Sequence, residues 1–121
     1  MAEVDLTTVE NPLWHVTLTL AGDPVPDEQL TTALNRLVEE RPFMLSVRYA
    51  LDRVELRFWD EAEDVDDAAA IALRLWSEHR GTTGLPRWRV VGLEVLDREI
   101  VQARGAGGMA RPLVASRVAR L

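Results

Sequence analysis

Alternation of apolar and polar residues with a two-residue period constrains this chain more than any other feature. Trp14-His15-Val16-Thr17-Leu18-Thr19-Leu20 alternates without a break. That is the period of a strand with one face buried and one face open. Phe43, Leu45, Val47 and Tyr49 alternate with Met44, Ser46, Arg48 and Ala50, and Val54, Leu56 and Phe58 alternate with Arg53, Glu55, Arg57 and Trp59. A helix cannot use such a pattern, because its longer period would scatter these apolar side chains around its axis. The two-residue link Leu51-Asp52 makes the last two segments a hairpin. It lacks the glycine or asparagine of the favoured tight turns, so a longer or irregular turn is expected.

Between the strands the period changes. Gly22-Asp23-Pro24-Val25-Pro26 ends the first strand with turn chemistry. Asp27 is placed to cap a helix carrying Leu30, Ala33, Leu34, Leu37 and Val38 on one stripe, and Arg41-Pro42 stops it. Val65, Ala68, Ala69, Ala72, Leu75 and Trp76 mark a second helix that ends near His79. Gly81 and Gly84 punctuate a loop, and a fourth strand runs from Arg87 through Val91, Leu93 and Val95. Asp97 opens a segment that reads either as a short capped helix through Arg104 or as more of the fourth strand. The expected organisation is an N-terminal arm over 1–12, a βαββαβ domain with a C-terminal extension over 13–104, and a flexible basic tail over 105–121.

Each helix has one apolar stripe and each of the first three strands one apolar face. Layering both helices on one face of an antiparallel sheet buries all of them together. A right-handed first crossover then puts the third strand between the first and second. Over about residues 13–97 the pattern resembles the ferredoxin-like superfold. That resemblance implies an α+β sandwich with a four-stranded antiparallel sheet of order 4-1-3-2 and two helices on one face. The superfold hosts many activities and implies none of them.

Composition removes several function classes. Cysteine is absent, which excludes a disulfide framework, a thiolate zinc site and a cysteine nucleophile. All 14 basic residues are arginine, so lysine Schiff-base chemistry is excluded too. The net charge of −6 is uneven: residues 1–79 carry 17 acids against 6 arginines, and residues 80–121 carry 3 acids against 8. An acidic body argues against broad nucleic-acid binding, while the basic tail suits an acidic protein partner. Met1 to Glu10 holds three acids and no apolar run, and no window reaches the apolar length of a membrane span, so a cytoplasmic protein without membrane contact is expected.

If the apolar residues face the helices, the alternate ones form an open sheet face. They are His15, Thr17 and Thr19; Met44, Ser46 and Arg48; Glu55, Arg57 and Trp59; and Trp88, Val90, Glu94 and Leu96. Two tryptophans, a methionine and two aliphatics are more than solvent exposure requires, and such surface marks a contact site. The expectation is a non-enzymatic module that forms a homo-oligomer through this face. Trp59 and Trp88 anchor the contact, Arg48 and Arg57 orient it, and Met44 and His15 lie alongside.

Other candidates compete with that reading. Gly22-Asp23-Pro24 resembles the ligand loop of ACT regulatory domains, although Val25 stands where that family has a glycine. The resemblance implies a ligand loop at Gly22 and Asp23. Acylphosphatases share the superfold but need an arginine in this loop; residues 21–35 contain none, and Asn35 falls mid-helix, so that activity is excluded. Arg48, Arg57, Trp59 and Trp88 resemble the base-stacking face of RNA-recognition motifs, but the aromatic-glycine signature is missing and Glu55 and Glu94 interrupt the charge. His15 and His79 are the two histidines. They read most simply as a sheet-face residue and as a cation near a helix C-terminus. An enzyme would pair His15 with Glu55 or Glu94.

The six acids between Asp60 and Asp67 lack the spacing and glycine of a calcium loop and suit a helix N-terminus. Gly105-Ala106-Gly107-Gly108 lacks the lysine of a nucleotide loop and reads as a linker. No cofactor and no metal is expected.

Overall fold

The computed structural model describes residues 11–41, 43–104 and 118–121. Strand β1 (Leu13–Ala21) is the axis of the sheet, paired with β3 (Arg53–Glu61) on one side and β4 (Arg89–Asp97) on the other. Strand β2 (Met44–Ala50) lies beyond β3, and a short strand β5 (Val118–Arg120) runs parallel to β2 at the far edge. The order is β4-β1-β3-β2-β5. The fold is α+β, but among the described residues the sheet is five-stranded and mixed rather than four-stranded and antiparallel. Residues 118–120 are part of it, which corrects the expectation of a tail without structure from 105 to 121. The ladder with β2 holds that strand, closed by a 2.7 Å bond from the Leu121 N–H to the Tyr49 carbonyl, and the Arg120 guanidinium lies 5.4 Å over the Tyr49 ring. The linker reading of residues 105–108 and most of the arm over 1–12 lie outside the described residues.

Helices α1 (Asp27–Glu40) and α2 (Val65–Thr83) cover one face of the sheet. Helix α1 buries Leu30, Ala33, Leu34 and Leu37 against Val16, Leu18, Leu20, Leu56 and Phe58. Each of these large side chains contributes roughly 1.5–3 kcal/mol by leaving water. The cap of α1 is Pro26, in extended backbone, so Asp27 is the first helical residue and its charge faces the helix dipole instead of capping it. Asp64 does cap α2, accepting a 2.8 Å bond from the Asp67 N–H. Helix α2 runs one turn past His79 and ends at Gly84, whose φ of 86° is the left-handed cap conformation that glycine adopts without strain. The β2–β3 turn is tighter than expected: Ala50 pairs with Arg53 directly. The carbonyls of Leu51 and Asp52 accept hydrogen bonds from Val25 N–H and Gly22 N–H, and this support replaces favourable turn chemistry.

Two β-bulges reverse the simple alternation. In β2, Met44 pairs with Phe58 and Ser46 with Arg57, leaving Leu45 as the extra residue. Met44 therefore turns under the helices, 2% exposed, and Phe43 is left 66% exposed outside them. In β4, Gly92 pairs with Thr19 and Val90 with Leu20, leaving Val91 as the extra residue. Val90 moves to the core side, while Leu93 and Val95 keep the facing expected of them.

Candidate functional site

Trp88 was expected on the open face as an anchor. It lies instead in the core under α2, its ring stacked 6.0 Å from that of Trp76 and nearly parallel to it. Both indole N–H groups are used locally: Trp76 donates to the Pro86 carbonyl at 2.7 Å and Trp88 to the Asp23 carbonyl at 2.9 Å. Gly22 is required here because a Cβ on it would overlap the Trp88 ring. The Gly22-Asp23 loop is thus a seat for an indole, and the sequence reason for its glycine is packing. Met44 and Trp88 together leave the expected contact surface for the core.

What remains on the open face is arranged in rows across three strands. Thr17 pairs with Arg57 on one side and Glu94 on the other, and His15 pairs with Trp59 and Leu96 in the next row. Arg48, on β2, lies farther out opposite Glu55 and is exposed. Asp97 caps the short helix α3 (Arg98–Ala103), accepting a 2.8 Å bond from Ile100 N–H. This settles the ambiguity of that segment in favour of a helix. Val101, one turn on, is 5% exposed and brings α3 against the end of the open face.

The result is a cavity of about 120 Å³ with His15, Thr17, Arg57 and Glu94 on its strand wall. Leu96 and Val101 supply apolar surface, and Arg104 stands at the end of α3. His15 is 4% exposed, so it is a buried residue and not the open sheet-face histidine expected. Its ring meets Trp59 edge-on at 5.2 Å. Its Nε2 is buried and has no hydrogen-bond partner among the described residues, and the same holds for Arg57 Nε. Burial pushes the His15 pKa below the ordinary histidine value; Arg57 pushes it the same way, and Glu94 opposes them. The imidazole is therefore neutral at pH 7, and Nε2 can donate or accept according to its tautomer.

The two charge pairs around the cavity are loose. Arg57 Nε stands 3.6 Å from Glu55 Oε1, and Arg104 Nη1 stands 3.8 Å from Glu94 Oε2. Both distances exceed a hydrogen bond, and all four side chains are substantially solvent-exposed. Pairs of this kind contribute little and can exchange partners.

The remaining candidates have structural explanations. His79 Nδ1 lies 2.6 Å from Glu40 Oε1, which also accepts from Thr82 Oγ1, so this histidine ties α1 to α2. The hydrogen bonds from His79 and Thr82 hold the Glu40 carboxyl below its usual range. Asp60 pairs with Arg41 at 3.3 Å, and no group of acids and histidines among the described residues could hold a metal ion. A larger hollow of about 400 Å³ between α1 and the end of α2 is shallow, and no buried unpaired side-chain atom belongs to it among the described residues. No helix among the described residues is long and apolar enough to cross a membrane.

Residues 13–112 match the model of a family described as "Domain of unknown function (DUF8830)". No curated protein and no solved structure matches the chain.

Proposed function

The chain belongs to the DUF8830 family, a domain of unknown function, and we propose that it is a non-enzymatic binding domain whose site is the His15 cavity. One observation carries the reading: a histidine almost fully removed from water lines a cavity, and its Nε2 has no hydrogen-bond partner among the described residues. Leaving a buried polar atom without a partner costs about 1–3 kcal/mol, and a fold retains such a cost where something else supplies the partner. The cavity has room for about four waters or a ligand of similar bulk. The strand order β4-β1-β3-β2, with α1 and α2 on one face, supports a ferredoxin-like core to which α3 adds the roof of this site. A thermal-shift screen of small polar metabolites against the protein and its His15→Leu variant tests the reading. A stabilising compound whose effect vanishes in the variant is expected; a panel that stabilises both alike, or neither, contradicts it.

Self-association remains a second reading, on altered grounds. With Met44 and Trp88 in the core, the face retains Trp59, Arg48 and Arg57, and the edge strand β4 exposes Val91 by 47% and Leu93 by 37%. An unpaired edge with exposed aliphatics favours pairing with a second copy. Light scattering over a concentration series is expected to report a dimer that Leu93→Lys dissociates; a monomer throughout removes this reading.

A further inference from the structure

The cavity carries both signs of charge in a fixed order, and this narrows what it can hold. Arg57 and Glu94 are the two partners of Thr17 across neighbouring strands, so they stand on opposite sides of β1 in a single row. Strand spacing puts their Cα atoms about 10 Å apart, with Thr17 between them. His15 Nε2, one row along, has no hydrogen-bond partner among the described residues, and Arg57 Nε has only the loose ion pair with Glu55. Both groups belong to residues lining the cavity. A lone anion would be drawn to Arg57 and Arg104 and repelled by Glu94, and a lone cation the reverse. A molecule with a carboxylate at one end and an ammonium at the other satisfies both walls together. Its binding exchanges two loose surface pairs, Arg57–Glu55 and Arg104–Glu94, for charge-assisted hydrogen bonds inside a partly closed site. Leu96 and Val101 give the cavity apolar wall, and its volume of about 120 Å³ limits the bulk of what it can hold.

We propose that the His15 cavity takes a compact zwitterion of about five or six non-hydrogen atoms, its carboxylate toward Arg57 and its ammonium toward Glu94. This rests on the reading of the cavity as a ligand site. The test is NMR titration of the full chain with glycine, L-alanine, acetate, ethylamine and L-phenylalanine. Shifts of the His15 ring and of the Thr17, Arg57 and Glu94 signals are followed through the millimolar range. Glycine and alanine are expected to saturate these signals at concentrations at least tenfold below those needed by acetate, ethylamine or phenylalanine. Arg57→Gln and Glu94→Gln, both at half-exposed positions, are expected to weaken glycine at least tenfold each, while Arg48→Gln, outside the cavity, leaves it unchanged. Acetate or ethylamine binding as tightly as glycine overturns the zwitterion assignment and leaves the cavity as a ligand site. Glycine affinity unchanged in Glu94→Gln has the same consequence. No shift at His15 with any probe overturns both.

Discussion

Two aromatic clusters stand on opposite faces of the sheet and are finished differently. Under the helices, Trp76 and Trp88 stack at 6.0 Å, both indole N–H groups are bonded to loop carbonyls, and Gly22 leaves no space for even a methyl group beside them. Under α3, His15 meets Trp59 at 5.2 Å with comparable burial of the imidazole, yet its Nε2 has no partner among the described residues and a cavity lies next to it. Burial is therefore a poor guide to role in this molecule. The first cluster spends its polar atoms on the fold, and the second leaves one free. That contrast is the ground for proposing the second side as the ligand site.

The contrast is broken most severely at the packed cluster. Trp88→Ala removes a ring from a filled site and is expected to cost about 3–5 kcal/mol in chemical denaturation, with no gain of ligand binding. Gly22→Ala places a methyl group against the same ring and is expected to cost about 1–3 kcal/mol. A loss under about 0.5 kcal/mol, the range of a neutral surface change, would mean that the indole is not seated on Gly22. His15→Leu goes the other way. It replaces an unpaired polar ring with an apolar side chain, so stability at pH 7 is expected to hold or rise by up to about 1 kcal/mol.

The same variant sharpens the comparison through pH. The native His15 pKa lies below its unfolded value of about 6.5, so the native state favours the neutral ring. Its contribution is complete above that value and is lost as pH falls from there toward the folded pKa. The charged groups facing it are Arg57, Glu94 and Arg104. Denaturation curves at pH 7 and pH 5 are expected to show the unsubstituted protein losing more stability than His15→Leu; equal losses contradict the burial of a neutral imidazole. The smallest effect belongs to Arg48, which is exposed on the open face outside the cavity. Arg48→Gln is expected to change stability by less than about 0.5 kcal/mol and to leave ligand binding intact.

How much of this was legible in the sequence depended on whether a signal was local. The alternation of β1 and β3 set their facing correctly because those strands pair with each other without a shift, Val16, Leu18 and Leu20 opposite Phe58, Leu56 and Val54. The stripes of α1 and α2 were equally plain, as was the acidic start of α2, where Asp64 caps. Met44, Val90 and Trp88 were misplaced for one kind of reason. A bulge adds a residue without leaving a mark in composition, and every side chain beyond it changes face. The site itself was half visible. His15, Thr17, Arg57 and Glu94 fall on one face by period alone, which also brings Glu94 within the reach of His15. Their enclosure depended on α3, whose cap Asp97 was readable but whose packing through Val101 was not. Docking of β5 on β2 depends on a contact between residues about seventy positions apart, and the short segment Val118-Ala119-Arg120 carries no strand signal of its own.

Everything proposed for the cavity requires His15 to be buried and neutral, with its Nε2 unpartnered among the described residues. Its most direct test is the NMR titration of the two imidazoles, assigned with a His79→Gln variant. His15 is expected to titrate with a midpoint below 6.5 and to stay neutral at pH 7. A His15 midpoint at or above that value would contradict the account, because it would describe a solvated or charge-paired ring.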